Sequence, residues 1–147
     1  MESSQTNILE SYPIQIDLDV MWGEMDSFQH VNNIVYFRYF ESARIEYFIQ
    51  IKALDYMEKK SIGPILAETQ CKFKRPLKYP ESIKVGAKVD QILEDRFWMK
   101  YAVFSNSNEK VAAEGTGLIV YYDYKEGKKT KIPESILSKI KSLENRD

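Results

Sequence analysis

Residues 33–51 read NIVYFRYFESARIEYFIQI, and their spacing predicts one long helix. Tyr36, Phe40, Ala43, Tyr47 and Ile51 fall at i, i+4, i+7, i+11 and i+15, a single stripe of a 3.6-residue period. Asn32 or Asn33 stands where a cap belongs, because a short amide side chain can accept from a first-turn N–H. Phe37, Ile45, Phe48 and Ile49 spread apolar surface well beyond the stripe. A helix lying on a protein surface keeps a polar outer face, so this one is expected to be largely enclosed.

What encloses it is read from the flanks. Upstream, Ile14, Ile16, Leu18 and Val20 alternate with Gln15, Asp17 and Asp19, the period-two pattern of a half-buried strand running into Trp22. Downstream, Ile65, Ala67, Thr69, Cys71 and Phe73 are expected on one face of a strand and Leu66, Glu68, Gln70 and Lys72 on the other, ending at RPLKYP, where Pro76 and Pro80 stop the ladder. Ile83, Val85, Ala87 and Val89 give another strand. LEDR at 93–96 turns into RFWMKYAVF, and SNSNE at 105–109 turns into a last strand over about 110–123, which Gly115 and Gly117 let curve around the helix. After KEGKKTK, Pro133 at a first helical position precedes Ile136, Leu137, Ile140 and Leu143, a short amphipathic helix.

The expected class is therefore α+β: a curved antiparallel sheet of about five strands wrapped on one long central helix, with a short C-terminal helix. The chain of 147 residues suits one domain, here 12–147, since a domain spans roughly 100 to 200 residues. Residues 1–11 are polar and patternless and read as a disordered or docking arm. No repeat or linker divides the rest. The open edges of such a sheet need protection, and a second copy is the simplest one.

Composition narrows the chemistry. There is one His, His30, and one Cys, Cys71, so the usual finger or ribbon zinc sites, which need about four such ligands, cannot be assembled. An intrachain disulfide is excluded, and a triad or Cys/His dyad would have to pass through His30. Carboxylates are left as the expected workers, with no metal and no cofactor. With 21 Lys+Arg against 22 Asp+Glu, no net field draws the chain to nucleic acid or to an anionic membrane. The start MESSQTNILES has no basic, apolar leader, and apolar runs fall far short of the ~20 residues that span a bilayer. A soluble, cytoplasmic protein is expected.

The chemistry concentrates in WGEMDSFQHVNN, Trp22 to Asn33, directly before the helix. First-turn backbone N–H groups are unpaired and carry the positive end of the helix dipole, so they can polarise an acyl oxygen. Asp26 on the preceding loop can supply the other half of acyl transfer, attacking a carbonyl or activating water. The competing account makes Glu24 and Asp26 solvated loop acids and the two Asn mere caps.

Trp22-Gly23-Glu24-Met25-Asp26, then His30-Val31-Asn32-Asn33, Tyr36 and Arg38-Tyr39-Phe40-Glu41-Ser42-Ala43-Arg44, resembles the signature of the hotdog-fold acyl-CoA thioesterases, in the 4-hydroxybenzoyl-CoA thioesterase-like branch. The resemblance continues through FKRPLKYPESIKV (73–85) and AEGTGLIVYYD (113–123). It implies a hotdog fold, a homodimer or homotetramer with sites at the dimer interface, and an acyl-CoA substrate. It makes Asp26 the catalytic carboxylate and the backbone N–H of Asn33 the carbonyl polariser. His30 is assigned to loop shape or substrate contact, and Trp22, Lys74 and Arg75 to substrate binding. Glu41 is equally explained by an i, i+3 pair with Arg38 or Arg44.

Three departures stand out. Glu24 replaces the usual Asp, one methylene shorter. Gln29 replaces a common Gly, which matters if a positive φ is needed there. The turn at 93–96 lacks the basic run that the founding branch sets against nucleotide phosphates. Basic density lies instead at Lys72, Lys74, Arg75 and Lys78, where it either meets the phosphates of CoA or an acidic carrier protein, or simply solvates a strand end. Phe97, Trp98 and Tyr101 either line an acyl pocket or belong to the core and a dimer contact. The functional readings are hydrolysis of acyl-CoA, hydrolysis of an acyl carrier protein thioester, and a non-catalytic acyl or CoA-binding module.

Overall fold

The computed structural model describes residues 9–146. Strand β1 is Ile14–Asp19. After a single 3-10 turn, Trp22–Glu24, come helices α1, Asn33–Gln50, and α2, Ala53–Lys60. Strands β2, Ile62–Phe73, β3, Ser82–Ile92, β4, Arg96–Ser105, and β5, Lys110–Asp123, follow, then the two-residue β6, Lys128–Lys129, and helix α3, Glu134–Leu143. The sheet is antiparallel in the order β1-β3-β4-β5-β2, with β6 beside β5.

Helix α1 lies on the concave face. Phe40, Ala43 and Tyr47 have no exposed surface, and they pack with inward residues of the sheet such as Val85, Met99, Tyr101 and Ile119. The Phe40 ring stacks on Tyr101 with centroids 4.9 Å apart. Arg44, on the same side, donates to the Tyr101 hydroxyl at 3.2 Å and holds its guanidinium 5.9 Å from the ring centroid. Gly115 makes the close approach possible: a Cβ there would collide with the Phe40 ring and with the Gln70 carbonyl. At the far end, Glu144 Oε2 accepts from the Tyr47 hydroxyl at 2.6 Å and from the Val89 N–H at 2.7 Å, fastening α3 to helix and sheet together. On the convex face Leu9 and Tyr12 cover Ala102, Phe104 and Val111. The arm expected over 1–11 falls largely outside the described residues.

Four expectations need correcting. Helix α1 is less enclosed than expected: the sheet covers one side, and Ile34, Ile45 and Ile49 on the other are exposed. The alternation assigned to β2 does not run unbroken. A bulge at Ala67 shifts the register between Leu66 and Glu68, so Ile65 pairs with Val120 on one face while Thr69 and Cys71 pair with Gly117 and Gly115 on the other. Helix α2 was not foreseen; Lys52, at φ 62°, breaks the helical run and restarts it, and Ser61, at φ 58°, ends it. Pro133 is the cap of α3 rather than its first residue.

Replacing Gly115 by Ala forces Cβ into the Phe40 ring and is expected to destabilise the fold by about 1 to 3 kcal/mol. Gly23→Ala, where a Cβ meets nothing within 4 Å, serves as the control. Urea midpoints at constant slope measure both, and equal midpoints would refute the packing account.

Candidate active site

The loop before α1 is tied down at its base before it offers any chemistry. Glu24 Oε1 accepts from the Met21 N–H at 2.8 Å and from the Tyr39 hydroxyl at 2.9 Å. The longer acid therefore reaches from the 3-10 turn to the helix. Burial, and then the bond to Glu24, push the Tyr39 hydroxyl well above its usual range, so it stays a donor. The Asn32 N–H donates to the Glu24 carbonyl at 3.0 Å, and Met25 bridges Val31. From the other side, the Leu77 carbonyl, in the RPLKYP turn, accepts from the Val31 N–H at 2.9 Å. Leu77 itself is fully buried.

The tip of the loop closes on Asp26. Its N–H donates to the His30 carbonyl at 2.8 Å, its carbonyl accepts from Gln29 at 2.9 Å, and its Oδ1 accepts from the Phe28 N–H at 2.9 Å. Oδ2 takes no hydrogen bond from the described residues. Gln29 sits at φ 64°, so the left-handed conformation a Gly would adopt freely is adopted here by Gln. The strain is about 1 kcal/mol. The doubt raised by the missing Gly is thus resolved in favour of the geometry.

The helix start selects one amide. Asn32 is the cap; its Oδ1 accepts from the Ile34 N–H at 3.0 Å and its carbonyl from the Val35 N–H at 2.9 Å. The Asn33 N–H, between the cap and Ile34, has no acceptor among the described residues. It points from the positive end of an 18-residue helix.

Asp26, Asn33 and His30 line one open cavity of about 380 Å³ together with Lys74 and Arg75. Its apolar wall is Phe28, Val31, Tyr36, Phe73 and Pro76. Tyr36 and Phe73 meet edge to face at 5.1 Å, and burial pushes the Tyr36 hydroxyl up to about 12. Phe28 and Pro76 were not assigned to the site from the sequence; Pro76 lies inside a block that carries the resemblance, and Phe28 in the loop between two of them. Trp22 is not brought in: it is exposed and lines an adjoining depression with Gly23, Ser27 and Gln29, which Asp26 also borders.

The basic residues divide. Lys74 pairs with Glu114 at 2.9 Å, whereas Arg75, Lys72 and Lys78 enter no ion pair among the described residues. Both the Lys74 and Arg75 N–H groups donate to the Ala112 carbonyl, which fixes the backbone at the cavity rim. Glu41 is exposed and has neither of the helix pairs suggested for it, because Arg44 turns inward to Tyr101. Phe97 and Tyr101 are core residues. In the 93–96 turn Arg96 is held by Asp95 at 2.7 Å. Burial pushes the Cys71 thiol up to about 11, and among the described residues no three His, Cys, Asp or Glu side chains are grouped to hold a metal ion.

Comparison with known proteins agrees with this architecture. The model of the thioesterase-like superfamily matches residues 20–140. A thioesterase from Thermus thermophilus, whose crystal structure contains coenzyme A and Zn, superposes with a TM-score of 0.83 at 29% identity, over 94% of this chain and 98% of that one. A candidate esterase of Aquifex aeolicus is 30% identical over 124 residues, 83% of this chain and 93% of that protein. The chloroplastic acyl-acyl carrier protein thioesterase ATL3 of Arabidopsis thaliana is 30% identical over 128 residues, 86% of this chain but 66% of ATL3.

If Glu24 and Tyr39 brace the loop, Tyr39→Phe should cost about 1 kcal/mol, the usual worth of one hydrogen bond, and speed amide exchange at Val31 and Asn32. Unchanged exchange there would show that the loop is held by its backbone bonds alone.

Proposed function

The chain belongs to the thioesterase-like superfamily and is a thioester hydrolase; from that premise we propose that its donor is an acyl-CoA and that Asp26 carries the chemistry. One observation supports the reading above others: Asp26, with one carboxylate oxygen free of hydrogen bonds, and Asn33, with an unpaired N–H, line the same cavity. A thioester carbonyl oxygen placed against the Asn33 N–H gains a donor aimed at the charge that develops on it, and the helix dipole adds to that. Asp26 Oδ2 then attacks the carbonyl carbon or takes a proton from the attacking water. Attack by Oδ2 leaves an acyl anhydride on Asp26 that a water molecule then hydrolyses, whereas base catalysis delivers the water in one step; both expel the CoA thiolate, a good leaving group that needs little acid assistance, and end in free acid and CoA.

Phosphates enter on the other rim. Arg75 is the unpaired cation of the cavity, and a planar guanidinium suits bidentate phosphate contact. Lys74 is already neutralised by Glu114, and Lys72 lines a different cavity, with Lys88 and Lys100. The 12-residue strand β2 ends at this rim and forms one edge of the sheet. Pairing two such edges would protect them and bring a second copy beside each cavity, so we assign the working form to a homodimer or a multiple of it. No helix among the described residues is long and apolar enough to cross a membrane. The similarity to ATL3, together with the basic rim of this chain, supports an acyl carrier protein thioester as the second reading, since such carriers are acidic partners.

Asp26→Asn should lower kcat by roughly 10² to 10⁴-fold, the worth of a positioned acid or base, in a thiol-release assay over short, long and aromatic acyl-CoAs. Full activity in a folded Asp26→Asn protein would sink the assignment. Arg75→Ala should raise KM for acyl-CoA several-fold, with little change in kcat and none in KM for the matching acyl-pantetheine, which has no nucleotide phosphates. A carrier-protein thioester cleaved far faster than the CoA thioester of the same acyl chain would move the donor to the second reading.

A further inference from the structure

The cavity that Lys72, Lys88 and Lys100 line has a volume of about 280 Å³ and lies on the face of the sheet turned away from α1. Register puts Lys100 opposite Lys88 on β3 and opposite Thr116 on β5, and Thr116 opposite Gln70 on β2. These four side chains form one row straight across the sheet. Their sequence neighbours Tyr101 and Gly115 face Phe40 of α1, so the alternation of a strand sends Lys100 and Thr116 to the other side. Lys72 and Glu114 pair in the next row. There Gly86 leaves room for the Tyr12 ring, which a Cβ would strike, and Tyr12 forms one wall of the cavity.

Among the described residues three cations and one acid line this space. The acid, Glu114, is already held by Lys74 at 2.9 Å, and that ion pair stands between two cavities, since Lys74 lines the one that holds Asp26. Lys88 has no carboxylate partner among the described residues: its ammonium donates to the Ser11 hydroxyl at 3.0 Å and lies 4.6 Å from the centroid of the Tyr12 ring. Lys100 reaches only the half-exposed Asp90, at 3.6 Å. Like charges set directly opposite each other across two strands destabilise the pairing, and Lys88 and Lys100 are set so. An anion between them turns that repulsion into two charge-assisted hydrogen bonds.

The layout limits what that anion is. Strands β3 and β4 bring Lys88 and Lys100 to one side of Thr116, and β2 brings Lys72 to the other. Lys100 and Lys72 stem from strands two spacings apart, about 10 Å, so two linked phosphoryl groups lying over Thr116 meet both sides at once. The volume is at the low end of the roughly 300 to 1,000 Å³ of small-molecule sites, too little for a whole nucleotide cofactor. We propose that this cavity binds a diphosphate group other than the substrate's own, with Lys88 and Lys100 on one phosphoryl group, Lys72 on the other, and the Thr116 hydroxyl and Gln70 amide as neutral donors. The site lies across the Lys74–Glu114 pair from Asp26, uses none of the residues assigned to hydrolysis, and does not rest on that assignment.

Calorimetric titration of the full chain with sodium pyrophosphate tests it, at low ionic strength, where exposed charges are least screened. One saturable site per chain is expected. Lys88→Gln together with Lys100→Gln should weaken it by about tenfold or more, the worth of one charged hydrogen bond or better. Lys59→Gln together with Lys60→Gln removes the same charge from the exposed end of α2 and should leave the affinity unchanged. The affinity should also be unchanged in excess CoA, whose own diphosphate would compete at a shared site. Circular dichroism checks that every variant is folded. Absence of saturable binding at about 10 mM pyrophosphate overturns the proposal. Equal losses in the α2 control overturn it too, since they mean diffuse charge attraction, and so does displacement by CoA, which makes the cavity part of the substrate site. Binding lost in Arg75→Ala but kept without Lys88 and Lys100 would put the anion on the Asp26 rim, against the proposal. None of these readouts uses turnover, so they stand apart from any failure of Asp26 as the catalytic carboxylate.

Discussion

The contact between the Phe40 ring and the backbone of β5 at Gly115 sets the geometry of everything else. A flat sheet with a side chain at that position would hold α1 away from its concave face. With Gly there, the ring sits against the strand and stacks on Tyr101, and the helix axis is fixed to the sheet near its middle. Packing of this density resists displacement, because interiors have few voids into which a side chain can move. The bond from Tyr47 to Glu144 pins the same helix toward its C-terminal end. Its N-terminus then has a defined position, and the first-turn amides inherit it.

From that fixed end the site is assembled by subtraction. A helix start presents unpaired N–H groups, and here side chain and carbonyl of one capping residue, Asn32, occupy those of Ile34 and Val35. What remains is the Asn33 N–H. The loop does the same for the carboxylate: Phe28 occupies Oδ1 of Asp26 and leaves Oδ2. The carboxylate is thus held by one bond with one oxygen free, and the Asn33 N–H is left free beside its capping residue. Such preorganisation is what makes a donor or acceptor effective in a transition state, since nothing need reorganise when charge develops. The rim follows a similar rule, with Lys74 committed to Glu114 and Arg75 uncommitted.

Much of this was legible in the chain because it depends on local spacing. The alternation at 14–20, the stripe from Tyr36 to Ile51 and the turns at 93–96 and 105–109 are properties of neighbouring residues. So is the placing of Asp26 and Asn33 on either side of a loop, and five of the six residues singled out for the site line one cavity or its rim. What spacing could not show depends on the partner strand or on single dihedral angles. The bulge at Ala67 exists because β5 sets the register on both sides of it, and no residue in β2 announces it. Helix α2 follows from Lys52 adopting a left-handed conformation, which a Lys side chain does not advertise. Arg44 looked like half of a surface pair with Glu41, yet the i, i+3 rule says only that two side chains are near, not which one the core claims.

The exposed stripe of α1 shows how one misreading carried information. Apolar residues all round a helix imply burial all round, which is sound when a chain is complete in itself. One sheet can cover only one side of a helix about 10 Å across. The side left uncovered carries Ile34, Ile45 and Ile49, with Arg38 and Glu41 among them. Two unpaired opposite charges three residues apart would ordinarily satisfy each other along the helix. Here Arg38 and Glu41 do not, although the spacing permits it.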